Sequence, residues 1–255
     1  MSKKAQVSLF ILIGIVAVII VGVFIYQRGV QQEVIAPAKI DEMDAVQNFV
    51  QLCLDQTAHD SISYVLEEGG YYDDFSKSIY EAPLRPMTPA YLAGSVKDVP
   101  DITTIQDSLA QYVNEAVPLC TSQFSQFREL EIQESSPNTK VTITGNNILF
   151  EMDYKLKIIK QGSTSVLEKF TAKDGAEIIE MLKFAEEFVD EQKENQPYFQ
   201  ISALADIANE NNLTFEWDHL EEAEIIRLVK TDSVFGEPLK LEFAIDYNES
   251  ETGEE

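Results

Sequence analysis

Hydrophobic and polar positions along this chain fall into three regimes. From Val7 to Tyr26 no residue is charged and Ser8 is the one clearly polar position. A helix rising ~1.5 Å per residue over that length reaches roughly 30 Å, the hydrocarbon thickness of a bilayer. Polar residues then take over in GVQQEVIAPAKIDEMD, where Pro37 interrupts any helix leaving the membrane, so residues 27–43 read as a stalk. From Asp44 onward Val46, Phe49, Val50, Cys53, Leu54, Thr57, Ile62, Val65 and Leu66 recur at three- and four-residue spacing. That spacing places them on one face of a helix, and Gly69-Gly70 supplies its C-terminal stop.

The next thirty or so residues are broken by Pro83, Pro86, Pro89 and Pro100 and predict a long ordered loop. Tyr71, Tyr72, Phe75, Tyr80 and Tyr91 would pin it to the core or form a sugar- or protein-binding surface. A second helix is expected from Thr103, which has capping-box spacing to Gln106. Its apolar face runs Ile105, Leu109, Tyr112, Val113, Ala116, Val117 and Cys120, and Pro118 should bend or loosen it near that cysteine.

From Leu130 the period drops to two. LEIQES, KVTITG, ILFEMDYKLKIIK and SVLEKFTA alternate apolar and polar residues between SPN, GNN and QGS, the pattern of an antiparallel meander. A helix capped near Asp174 follows, with Ile178, Ile179, Leu182, Ala185, Phe188 and Val189 facing inward. A shorter helix, ISALADIANE, and strands LTFEW, AEIIRLVK and LKLEFAIDY complete the pattern. The predicted class is α+β: a transmembrane helix, two amphipathic helices, an antiparallel sheet and further helices. The organisation read from it is a basic leader (1–6), the span (7–26), the stalk (27–43), a folded ectodomain (44–247) and an acidic tail (248–255).

Charge orients this arrangement. Lys3, Lys4 and the amino terminus precede the span and Arg28 follows it, which puts the N-terminus in the cytoplasm and the rest outside. All 44 acidic residues and sixteen of the 19 basic ones lie beyond Arg28, a formal charge near −28. Such a surface opposes binding to nucleic acid and favours solubility and mutual repulsion. Cys53 and Cys120, the two cysteines, both fall in this outer part. An oxidising compartment and two packed apolar stripes favour a disulfide between them, with two unpaired core cysteines as the alternative.

Chemistry leaves few traces. The only histidines are His59 and His219, neither with a partner at metal-ligand spacing, and no HExxH, GxSxG, GxxxxGK or Ser/Lys pairing at three residues occurs. Asp73-Asp74 lacks the spaced oxygens and glycine of an EF-hand loop. No catalytic residue, metal site or cofactor is therefore assigned. Asn212-Leu213-Thr214 and Asn248-Glu249-Ser250 match the N-glycosylation acceptor pattern on the expected outer side.

The stretch KKAQVSLFILIG resembles the class III, type IV prepilin-like signal of archaeal surface proteins. Lys3 and Lys4 match its basic pair, Ala5 the residue before cleavage, Gln6 the new N-terminus and Ser8 the serine two places on. Phe10 stands where that pattern usually has glutamate. The resemblance implies cleavage by a prepilin-type peptidase between Ala5 and Gln6, with the apolar helix retained. VQNFVQLCLDQTAHDSISYVLEEGGYY is similar to uncharacterised archaeal single-pass membrane proteins with a cysteine-bearing helix, a double glycine and a tyrosine. The expectation is a non-enzymatic, single-pass cell-surface protein, in its specific form a pilin-like subunit. Its partners would be the bilayer, the peptidase, and copies of itself or other surface proteins. The alternative is a membrane-tethered binding module or assembly factor that does not polymerise.

Overall fold

The computed structural model describes residues 42–72, 78–82, 85–161, 163–220 and 223–247. The chain divides into two units, Met1–Ala45 and Val46–Glu255, and of the first only Glu42–Ala45, the opening turn of a helix, is described. The expected leader, span and acidic tail lie outside the described residues, together with Ala5, Gln6, Asp73, Asp74, Phe75 and Asn248. Among the described residues no helix is long and apolar enough to cross a membrane.

The first apolar stripe forms helix α1 (Glu42–Glu67), which buries Val46, Val50, Cys53, Leu54, Ile62, Val65 and Leu66. It ends where glycine allows it to. Gly69 and Gly70 take φ of +64° and +86°, and the Gly70 N–H donates to the Val65 carbonyl at 2.7 Å. At Gly69 a side chain would also collide, since its Cβ would lie 2.3 Å from Pro89 Cγ and 2.7 Å from the Glu242 carbonyl oxygen.

The segment expected to be a loop holds three strands: β1 (Ser78–Ala82), β2 (Arg85–Ala93) and β3 (Val96–Lys97). Pro86 and Pro89 lie in the part of β2 that faces edge strand β1, Pro89 opposite Ser78, and precede Ala90–Ala93, the part that joins the next strand over. That neighbour is β10 (Leu239–Asp246), followed outward by β9 (Ala223–Lys230) and β8 (Thr214–His219), giving the order β1-β2-β10-β9-β8 with β3 on β2. β2 and β10 run parallel while the other pairs are antiparallel, so this sheet is mixed rather than antiparallel throughout. Its central strands are buried along nearly their whole length, as strands covered on both faces must be.

The period-two segment forms a second, separate sheet of β4 (Glu131–Glu134), β5 (Asn138–Thr144), β6 (Asn147–Lys160) and β7 (Ser163–Gly175). β4 and β5 lie end to end along one edge of β6 and β7 pairs with the other. Strict alternation along β6 buries Ile148, Phe150, Met152, Tyr154, Leu156 and Ile158 on one face.

Helix α2 (Ile102–Thr121) differs from its expected start. The cap is Asp101, not Thr103: extended backbone at Asp101 lets its carboxylate accept from the Thr104 N–H at 2.7 Å and from the Thr104 hydroxyl at 2.9 Å. Gln106 makes no capping box and instead accepts from the Ile143 N–H at 3.0 Å, fastening α2 to β5. Pro118 sits inside α2, which continues to Thr121.

Helices α3 (Ile178–Glu194) and α4 (Ile201–Glu210) lie beside the mixed sheet. Phe188 of α3 packs within 6.4 Å of Phe243, which stacks on Tyr91 at 4.5 Å. Asp174 does not cap α3, because β7 runs on through Gly175 and the helix opens after Glu177. Asp174 Oδ2 turns to α1, 2.8 Å from His59 Nδ1. Buried Glu177 accepts from the Ser233 hydroxyl and from the Val234 N–H at 3.0 Å, holding the β9–β10 loop.

Candidate binding cleft

Three stretches far apart in sequence meet around an open cleft of about 620 Å³. The segment from β3 into the start of α2 contributes Val99, Pro100 and Ile102, β5 contributes Ile143, and α3 contributes Ile179 and Leu182. Ile179, Leu182, Lys183 and Glu186 follow one another at helical spacing, so α3 presents them as a single stripe that passes from apolar to charged. Such a volume with an apolar floor lies within the range of known ligand clefts.

Two charged groups shape the rim. Lys97 Nζ donates to Asp190 at 2.6 Å and to Glu186 at 3.2 Å, tying β3 to the second half of α3. Burial opposes charge on Lys97, but the hydrogen bonds to Asp190 and Glu186 outweigh it and hold the ammonium above the ordinary lysine value. The N–H of Thr104, and then its hydroxyl, hold the Asp101 carboxyl below the usual aspartate range, so this rim carboxylate is ionised throughout the neutral range.

Of the residues singled out from the sequence, Cys53 and Cys120 are joined, with Cα atoms 5.7 Å apart and a sequence separation of 67. Cys53 is buried as expected, whereas Cys120 is exposed. It lies in the last turn of α2, to the side of the buried stripe that runs through Val113, Val117 and Thr121, next to Leu119, which is 77% exposed. Asn212 is exposed in the turn between α4 and β8 at φ +53°, anchored by buried Leu213.

Both histidines pair with carboxylates. His59 stacks on Phe235 at 4.2 Å besides its contact with Asp174, and His219, at the end of β8, lies 2.8 Å from buried Glu224, which also accepts from Trp217 Nε1. Among the described residues no three histidine, cysteine or acidic side chains converge as a metal-ligand set. Tyr91 is a core residue whose hydroxyl donates to the Gly69 carbonyl at 2.9 Å, and burial raises its pKa well above the usual tyrosine value. Tyr72 joins Tyr64 and Tyr112 in a cluster on the helices and donates to Glu115 at 2.9 Å. These aromatics pin the segment after α1; they do not line the cleft.

The cleft residues escaped sequence reasoning. Ile179 was expected among inward-facing positions, yet it is only half-buried and lines the opening. The readable signal was the adjoining run of Glu186, Glu187, Asp190, Glu191 and Glu194 on the same helix. No protein family, no curated protein and no solved structure matches this chain.

Proposed function

We propose that this chain is a non-enzymatic, single-pass cell-surface protein. Val7–Tyr26 anchors it with the N-terminus in the cytoplasm, and the acidic α+β domain stands outside the cell. The Cys53–Cys120 bridge carries this reading. A disulfide that closes 67 residues with one exposed cysteine survives in an oxidising compartment and is rare in a reducing one. The uncharged segment of bilayer length and the basic residues before it support the same placement. Protease added to intact cells should digest the domain. Protection of residues 44–247 until lysis would sink the proposal.

Two forms of this reading have separate support. The resemblance around Ala5 and Gln6 favours a pilin-like subunit, cut by a prepilin-type peptidase and assembled with its own copies. The cleft between α2, β5 and α3 favours a membrane-tethered binding module or assembly factor. N-terminal sequencing of the native protein tests processing, and electron micrographs of the cell surface separate filaments from an unpolymerised anchor.

A further inference from the structure

We infer that the cleft takes a peptide segment of a partner protein in which one or two apolar side chains are followed by lysines or arginines. This rests on the binding-module form of the reading and is independent of the membrane placement. Val99, Ile102 and Ile179 are half-buried at the mouth of the cleft, with buried Ile143 and Leu182 closing its base, and this partly exposed apolar floor calls for an aliphatic or aromatic side chain to cover it. The floor does not stand alone. At Lys183 and Glu186 it runs into a second, shallower groove along α3 lined by Glu187, Asp190, Glu191 and Glu194.

Seven carboxylates and two ammonium groups line the two together. One of those cations, Lys97, is already held between Asp190 and Glu186, so the path away from the apolar floor is acidic. A ligand that is apolar at one end and cationic along the next few residues matches this order of surfaces. An anionic or uniformly apolar one does not. The groove follows α3 over Lys183–Glu194, about 16 Å at the helical rise, a length that four or five extended residues cover. A chain of that reach spans apolar floor and acidic wall at once, whereas a single amine or a bare ion occupies only part of the path.

The proposal is tested with the full-length protein in nanodiscs of phosphatidylcholine. The probe is a fluorescein-labelled peptide of two leucines, a glycine and four lysines. The controls replace its lysines with glutamates or its leucines with glycines. The leucine–lysine peptide should bind at least about tenfold more tightly than either control at physiological salt. Ile179→Ser, at a half-buried position, should weaken it about fivefold. Glu187→Lys with Glu194→Lys should weaken it about tenfold. All variants should melt within about 2 °C of the parent, because these side chains lie outside the core. Equal binding of the leucine-free peptide would reduce the effect to general attraction by an acidic surface and overturn the inference. Equal binding of the glutamate peptide, competition by uncharged decanol as strong as by the peptide, or no saturable binding of any probe would overturn it as well. None of these results touches the protease test of surface placement.

Discussion

Cys120→Ser isolates the covalent link between α1 and α2 from the packing around it. Cys120 is exposed, so the serine meets water and leaves no cavity, whereas Cys53 is 1% exposed and any change there also disturbs the core. The bridge closes 67 residues. In the chain-entropy treatment, a loop of that length confines the unfolded chain enough to contribute about 4 kcal/mol of stability. The segment so closed runs from mid-α1 through β1, β2 and β3 to the end of α2, and includes the proline-rich strands. In a domain of this size each kcal/mol moves the midpoint by about 2–4 °C, so Cys120→Ser should lower Tm by about 8–16 °C. The assay is far-UV circular dichroism of the oxidised protein, the variant and the parent treated with reductant, all as full-length chain in nanodiscs. Reductant opens the Cys53–Cys120 bridge and should bring the parent close to the variant. A variant melting within about 2 °C of the oxidised parent would refute the argument, because a loop of this length cannot be closed without restricting the unfolded chain.

Three further outcomes rest on particular contacts. Arg227 bonds Glu242, which is 4% exposed and also accepts from Thr88 at 2.9 Å, and it reaches Asp218 at 2.9 Å. Arg227→Ala should therefore cost about 3 kcal/mol in urea denaturation by stripping a buried carboxylate of its cation, and Arg227→Met with Glu242→Met should restore most of it. If the double variant is no more stable than the single one, the burial of charge is not the cause. Gly69→Ala forces a side chain into a left-handed backbone position against Pro89 and should cost about 3 kcal/mol by the same measurement; a loss under 1 kcal/mol would mean that β2 shifts to make room. Asp101 has a folded pKa depressed below its unfolded one, so its contribution is present above the ordinary aspartate value near ~4 and is lost as pH falls through the lower, folded value. Asp101→Asn keeps an acceptor at the cap without titrating; its stability relative to the parent should rise over that acidic window, and a constant difference there would contradict the cap.

Local pattern was enough to find most elements. Apolar spacing in a helix or strand reflects which face meets the core, and that is decided within one or two turns of chain. Hence α1 with its glycine stop, the alternating β5 and β6, and the closing strands were all legible from the sequence. The same stripes pointed to the Cys53–Cys120 pairing, although not to the exposure of Cys120, which sits in the last turn of its helix to the side of the covered line Val113, Val117 and Thr121.

Features that the sequence could not decide depend on partners from elsewhere in the chain. Pro86 and Pro89 argued for a loop until β10 arrived alongside Ala90–Ala93 and left them outside its ladder. Asp174 and Gln106 have the right chemistry for helix caps. Each is drawn instead to a group more than 30 residues away, His59 for one and the Ile143 N–H for the other. The cleft is the extreme case. Its walls come from residues 97–102, 143 and 179–186, and no periodicity within one segment records that an apolar floor from three elements will meet an acidic helix face. The sequence alone determined the uncharged segment of bilayer length, the acidic character of the chain beyond Arg28 and the faces of its helices and strands; tertiary packing alone decided which of those faces stayed open, since that depends on how closely distant elements can approach one another.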